Sequence, residues 1–108
     1  MQAIRLSPRD PEIDWWYLIL GEAELGLRNL DATIDEAQKA IGAGDRTSAS
    51  YLELAAANAL SGKMDEAKAA LAEARRINPD LTLKWMIERW PNTPAMFDGL
   101  RKAGLPEN

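Results

Sequence analysis

The feature that most constrains the fold of this chain is an internal repeat with a period of 34 residues. Residues 48–79, SASYLELAAANALSGKMDEAKAALAEARRINP, have the pattern of two amphipathic helices joined by a glycine turn and closed by a proline. Shifting this segment back by 34 residues places Tyr51 on Tyr17 and Leu54 on Leu20. Helix-turn-helix units that recur with periods of roughly 20–50 residues are typical of helical repeat arrays. Because no segment shows the alternation of a strand, the sequence predicts an all-α fold.

The composition argues against several classes of function. The 108 residues carry a net charge of -4, whereas binding of nucleic-acid phosphates needs a clustered positive surface. Cysteine and histidine are both absent, which removes the thiolate nucleophile, the commonest general base and the commonest metal ligand. We therefore expect no enzyme activity in this chain, no cofactor, no metal and no nucleic-acid partner.

The sequence predicts no membrane segment. No apolar run approaches the roughly 18–20 residues that span a bilayer. The start, MQAIRLSPRD, lacks the apolar core of a signal peptide. A cytoplasmic location without a membrane partner is the expectation that follows.

The chain is expected to form one domain with unequal parts. Residues 3–8 resemble residues 74–79, so we expect residues 1–8 to be the end of an upstream repeat helix in a longer parent protein. A natural short N-terminal helix is the alternative. The remaining divisions are residues 14–47 for repeat 1, residues 48–81 for repeat 2, and residues 82–108 for a truncated third repeat with a capping helix.

The apolar spacing also predicts which residues are buried. A turn is expected at Arg28 and Asn29, with asparagine tolerating the left-handed conformation. A helix stop is expected at Trp90-Pro91, because proline resists helical geometry. Thr93-Pro94 then starts a last helix from Ala95 to about Ala103, with Met96, Phe97 and Leu100 on one side and Gly104 at its end. The expected inner seams are Leu30, Ile34, Ala37 and Ile41 in the second helix of repeat 1, and Met64, Ala67, Leu71 and Ala74 in that of repeat 2.

This pattern resembles the tetratricopeptide repeat (TPR), in which an aromatic residue is followed by Leu-Gly, a small residue in the second helix and a closing proline. The first repeat departs from it at Glu24, Arg28 and Asp45, where an aromatic residue, glycine and proline are usual. The resemblance covers roughly residues 14 to 90 and implies a right-handed α-α superhelix with terminal capping helices, acting as a protein-interaction scaffold. The matching residues of repeat 2 are Tyr51, Leu54, Ala55, Gly62, Ala67, Leu71, Ala74 and Pro79.

A narrower resemblance lies at the two ends. Residues 4–11, IRLSPRDP, and residues 99–107, GLRKAGLPE, are similar to the C-terminal repeat region of bacterial class III adenylate/guanylate cyclases. In those proteins a repeat array follows the catalytic domain. The resemblance implies a parent chain with a nucleotide cyclase domain that is not present here.

The TPR resemblance also implies a binding surface, because the first helix of each repeat lines a concave groove. The surface carried over to this chain is apolar and nearly free of positive charge, which favours an apolar or helical protein segment over a peptide held by its terminal carboxylate. The alternative is that the last helix, or a second copy of the protein, covers the groove. The groove residues are Trp15, Leu18, Glu22 and Leu25 from repeat 1, and Ala49, Leu52, Ala56 and Ala59 from repeat 2.

The distribution of charge adds two further interpretations. Asp31, Asp35 and Glu36 could form a divalent-metal site, but Asp65 and Glu66 recur at the start of the equivalent helix, which favours a helix-dipole role. From position 10 to position 36 there are eight acidic residues and one basic residue, and from position 68 to the end there are seven basic and five acidic. This polarity has two interpretations, steering of head-to-tail association between copies or a solvated surface without a partner. Self-association, as a homodimer or as the regulatory region of a cyclase, is the alternative function.

Overall fold

The computed structural model describes residues 13–44, 47–89 and 93–108, with side chains described from residue 16 onward. Within these ranges the chain forms helices and no strand, which confirms the predicted all-α class. The expected helix end at residues 1–8 lies outside the described residues, as do Asp45 and the expected helix stop at Trp90 and Pro91. The helices are α1 (Ile13–Gly26), α2 (Leu30–Gly42), α3 (Ser48–Leu60), α4 (Met64–Ile77), α5 (Leu83–Arg89) and α6 (Pro94–Ala103).

The 34-residue period recurs in the backbone. α2 begins at Leu30 and α4 begins at Met64, so the second helices of the α1–α2 and α3–α4 hairpins start at equivalent positions. The residue two places before each start has a positive φ, 61° at Arg28 and 85° at Gly62. The expectation that Asn29 is left-handed is wrong, because its φ is -83°. The left-handed position is set by the repeat, although the first repeat has no glycine there.

Each hairpin closes through mostly small residues, which confirms the predicted seams at Ala37, Ala67, Leu71 and Ala74 and corrects them elsewhere. Leu30, Ile34 and Ile41 are only half-buried, and Met64 is exposed. Two helices approach most closely where side chains are small, so alanine and threonine dominate the contact and the larger side chains lie beside it. The buried residues are Thr33, Ala37 and Ala40 on α2, and Ala67, Ala70, Leu71 and Ala74 on α4.

α6 does not extend the row of hairpins but packs back along α3. Phe97 and Leu100 are buried in this contact region, as the sequence predicts for the last helix. A Cβ added at Gly99 would lie 2.5 Å from the carbonyl oxygen and 2.6 Å from the Cα of Ala56. Only glycine permits two backbones to approach this closely. The chain is accordingly compact, with a radius of gyration of 13.0 Å.

The C-terminal tail joins α6 to α5. Gly104 ends α6 in the left-handed conformation, with a φ of 105°. The N–H groups of Leu83 and Lys84 then donate to the carbonyl oxygens of Pro106 and Glu107, at 2.8 and 2.9 Å respectively. These carbonyls satisfy two of the donors that are left free at a helix N-terminus. The tail therefore positions the short helix α5 beside α6.

Candidate interaction groove

A groove runs between α1 and α6. It consists of two adjoining clefts, with volumes of about 550 and 400 Å³. Both volumes lie within the range of roughly 300–1,000 Å³ that is usual for ligand sites. The residues that line both clefts, and so connect them, are Ile19, Glu22, Thr93 and Met96. We refer to this surface as the α1–α6 groove.

The groove exists because α6 contacts α3 along much of its length and α1 only slightly. α1 presents five consecutive half-buried apolar residues, from Trp16 to Leu20, instead of one fully buried stripe. Leu52 of α3 and Met86 of α5 line the second cleft, and both are nearly fully buried. Pro94 and Met96 line the α6 side of the first cleft. The result is a mainly apolar channel whose base consists of buried side chains.

The structure brings part of the predicted binding surface into this groove. Five of the eight predicted residues line its clefts, and two, Ala56 and Ala59, do not. Ala56 is fully buried against Gly99 of α6, and Ala59 is 3% exposed. The side chain of Trp15 lies outside the described residues. The predicted residues that line the groove are Leu18, Glu22, Leu25, Ala49 and Leu52.

α6 therefore covers much of the surface that repeat 2 was expected to present. This arrangement corresponds to the alternative in which the last helix covers the groove. A partner cannot contact Ala56 while α6 is docked, because the α6 backbone lies directly against it. The open part of the predicted surface belongs mainly to α1, together with the first residues of α3.

An ion pair links the turn after α1 to α6 beside the groove. Arg28 lies in the turn after α1 and lines the first cleft. Its Nη2 donates to Oδ2 of Asp98 on α6 at 2.9 Å, and both side chains are about half exposed. Arg28 was not among the predicted groove residues. The available sequence sign is that an arginine stands where the second hairpin has Gly62.

Two carboxyl groups lie where α1 meets α2 and α3. They belong to Glu53, which lines the second cleft, and to Glu36, which does not line the groove. Glu53 is only 4% exposed. A Cβ added at Gly21 would collide with Oε1 of Glu53 and lie 3.5 Å from the Cβ of Glu36. Gly21 therefore leaves the space that these two side chains occupy.

The position of Glu36 raises the pKa of its carboxyl group. Burial raises the pKa of the Glu36 carboxyl, Lys39 acts in the opposite direction, and the carboxylates of Asp35 and Glu24 add to the increase. Lys39 lies 2.9 Å from Oδ2 of Asp35 and 3.9 Å from Oε1 of Glu36. An ionised Glu36 is thus only partly compensated by its neighbours.

The acidic residues do not assemble into a metal centre in the described part of the chain, where no group of three or more possible ligands is found. Asp31 lies in the first turn of α2, and Asp65 and Glu66 lie in the first turn of α4. Carboxylates at these positions interact favourably with the positive end of the helix dipole. Among the described helices, none is long and apolar enough to cross a membrane.

Comparison of the chain with protein-family models, with curated proteins and with solved structures gives no match.

Proposed function

We propose that this chain is a non-catalytic protein-interaction module whose α1–α6 groove binds an apolar segment of a partner protein. The observation that carries the proposal is the accessible apolar surface of α1. Leu18 and Ile19 are large apolar residues of the kind that usually lie in a core, yet here they are only half-buried and line the groove. An apolar face left between two helices is a common way to bind a helix or an extended segment.

The opposite side of the groove suits such a partner. Met96 of α6 and Met86 of α5 line the second cleft. Methionine side chains are flexible and polarizable, and they adapt to apolar ligands of different shapes. Catalysis is not part of the proposal, because the chain contains neither histidine nor cysteine.

The proposal includes a TPR-like superhelical arrangement and a cytoplasmic location. The equal spacing of the α2 and α4 starts supports the former. The hypothesis that the chain follows a nucleotide cyclase domain depends only on the sequence similarity of residues 4–11 and 99–107. In the second segment Gly99, Leu100 and Leu105 lie in or against the core, so packing alone explains these residues.

A peptide selection would test the proposed function. Random 15-residue peptides displayed on phage would be selected against the folded protein, and the binding site of the strongest peptides would be mapped by backbone NMR. We expect shifts along α1 and α6, and loss of binding in Leu18→Asp. Met64→Asp is the matched control, since Met64 is an exposed apolar residue that does not line the groove. Binding that survives Leu18→Asp, or maps elsewhere, would contradict the proposal.

Self-association is the second candidate function. Leu27 is 71% exposed, and Ala23 and Gly26 beside it on the last turn of α1 are also exposed. Together they form a small apolar surface at the edge of the groove that a second copy could cover. Light scattering over a wide concentration range distinguishes the two candidates. A strict monomer at all concentrations would exclude self-association and leave the peptide-binding function intact.

A further inference from the structure

We infer that the partner segment carries a lysine or arginine between its apolar residues, and that this cation pairs with Glu22 in the α1–α6 groove. The inference rests on the proposed function and specifies the chemistry of the occupant.

Glu22 has a central position in the groove. It is exposed and is one of the residues that line both clefts. Within the described part of the chain its carboxylate makes no hydrogen bond or ion pair. The equivalent position of the second repeat is Ala56, so the repeat itself does not require an acid here. A carboxylate at the centre of an apolar channel is well placed to choose among partners.

The helix that carries Glu22 supplies no basic residue in its last turn to pair with this carboxylate. α1 has no basic residue in its last turn, and Glu22 and Glu24 both lie near its carboxyl end. A helix C-terminus carries a partial negative charge, so acids there are unfavourable and cations are favourable. A cation from a partner would therefore be attracted by the carboxylate of Glu22 and also by the end of α1.

Among the described residues that line the groove, no free cation competes for this position. Arg28 is the only basic residue among them, and it is paired with Asp98. The groove is thus apolar and acidic, which is complementary to a segment that is apolar and basic.

The apolar contacts lie close to this acid. Leu18 is one helical turn before Glu22 on α1, and Met96 faces the same clefts from α6. With a rise of about 1.5 Å per residue, α1 from Leu18 to Gly26 extends for about 12 Å. A partner with apolar side chains within three or four residues of its lysine or arginine can engage both features.

The selected 15-residue peptides provide the test. We expect enrichment of lysine or arginine beside apolar residues in peptides that bind the groove. Glu22→Gln should weaken their binding about fivefold, which is the upper range for an exposed ion pair, and Glu22→Lys should weaken it further. A peptide with its lysine or arginine changed to glutamate should regain binding on Glu22→Lys. Glu66→Gln, at an exposed acid outside the groove, should change nothing.

The outcomes separate this inference from the proposed function. Peptides that bind the groove through Leu18 but show no basic enrichment, and no response to Glu22→Gln, would overturn the inference and leave the proposed function standing. Absence of any groove-binding peptide would overturn both. If light scattering shows that a second copy occupies the groove and Glu22→Lys does not dissociate it, the inferred partner chemistry is also overturned.

Discussion

The two hairpins share one backbone pattern but present different surfaces on their first helices. At equivalent positions, Leu52 of α3 is 3% exposed whereas Leu18 of α1 is half-buried. One turn further on, α3 has Ala56, which is fully buried, and α1 has Glu22, which is exposed. The second helices differ much less, since Ala40 and its counterpart Ala74 are both fully buried. The repeat therefore determines the backbone of each hairpin, whereas the burial of side chains on the first helix differs between the two hairpins.

The difference depends on α6. The alanine-rich face of α3 permits another helix to pack closely. α6 packs there, with Gly99 directly against the backbone of Ala56. α1 has larger side chains and a charged residue at the corresponding face, so α6 does not pack closely against it. One hairpin thus supplies core and the other supplies an accessible surface. The following predictions test this division.

Truncation of the two equivalent leucines should give the largest contrast. Leu52→Ala should reduce the free energy of unfolding by about 2–5 kcal/mol, because it leaves a cavity among α3, α5 and α6. Leu18→Ala should cost about 1 kcal/mol or less, because that side chain already contacts solvent. Urea unfolding of both variants would measure these changes. Equal losses would mean that the two hairpins are buried alike and that α1 offers no free surface.

The contact between α6 and α3 should be the next most sensitive feature. Gly99→Ala should reduce the free energy of unfolding by about 1–3 kcal/mol, because the added Cβ meets the backbone of Ala56. Hydrogen exchange should show faster opening of α6. Gly42→Ala, at a helical position with nothing within 4 Å of the added Cβ, is the control and should be neutral or stabilising. A neutral Gly99→Ala would show that α6 can shift away without cost.

The fold was more predictable from the sequence than the groove. The position of the last helix followed from Pro94 and from the apolar residues Phe97 and Leu100. The predicted seams were correct at Ala37, Ala67, Leu71 and Ala74, but large apolar residues such as Met64 were wrongly assigned to the closest helix contact. Close approach between helices selects small residues, so Thr33 is buried in the contact instead. Periodicity alone does not contain this distinction.

The candidate site could be predicted only in part. The face formed by Leu18, Glu22 and Leu25 followed from the repeat, because position in a repeat determines position on the helix. That α6 would fold back over Ala56 depends on a contact between residues distant in sequence, with Gly99 as its only local sign. The pairing of Arg28 with a residue of α6 is likewise a tertiary contact that spacing does not reveal.

The two hairpin turns should respond unequally to a change at the left-handed position. Gly62→Ala should reduce the free energy of unfolding by about 1–2 kcal/mol, because the backbone φ at this position is 85° and a Cβ is unfavourable in that conformation. Arg28→Gly relieves the same strain but loses the exposed pair with Asp98, so we expect a net change of about 0.5 kcal/mol or less. Urea unfolding of each variant, with Asp98→Asn to separate the ion pair, provides the measurement. A loss above about 2 kcal/mol in Arg28→Gly would instead make this ion pair essential for docking of α6.

The smallest effect should arise from the carboxyl group of Glu36 in the α1–α2 hairpin. Burial raises the pKa of Glu36 in the folded protein, so folding favours its protonated form. The corresponding stability is present at pH values below the unfolded pKa and is lost as the pH rises through the folded pKa. Glu36→Gln should therefore give a small gain in the free energy of unfolding at about pH 7, and this gain should disappear near about pH 3.5. Urea unfolding at the two pH values would show it, with the exposed Glu66→Gln as a control without the gain. A Glu36→Gln variant that is less stable than the parent at about pH 7 would mean that the contact with Lys39 outweighs burial.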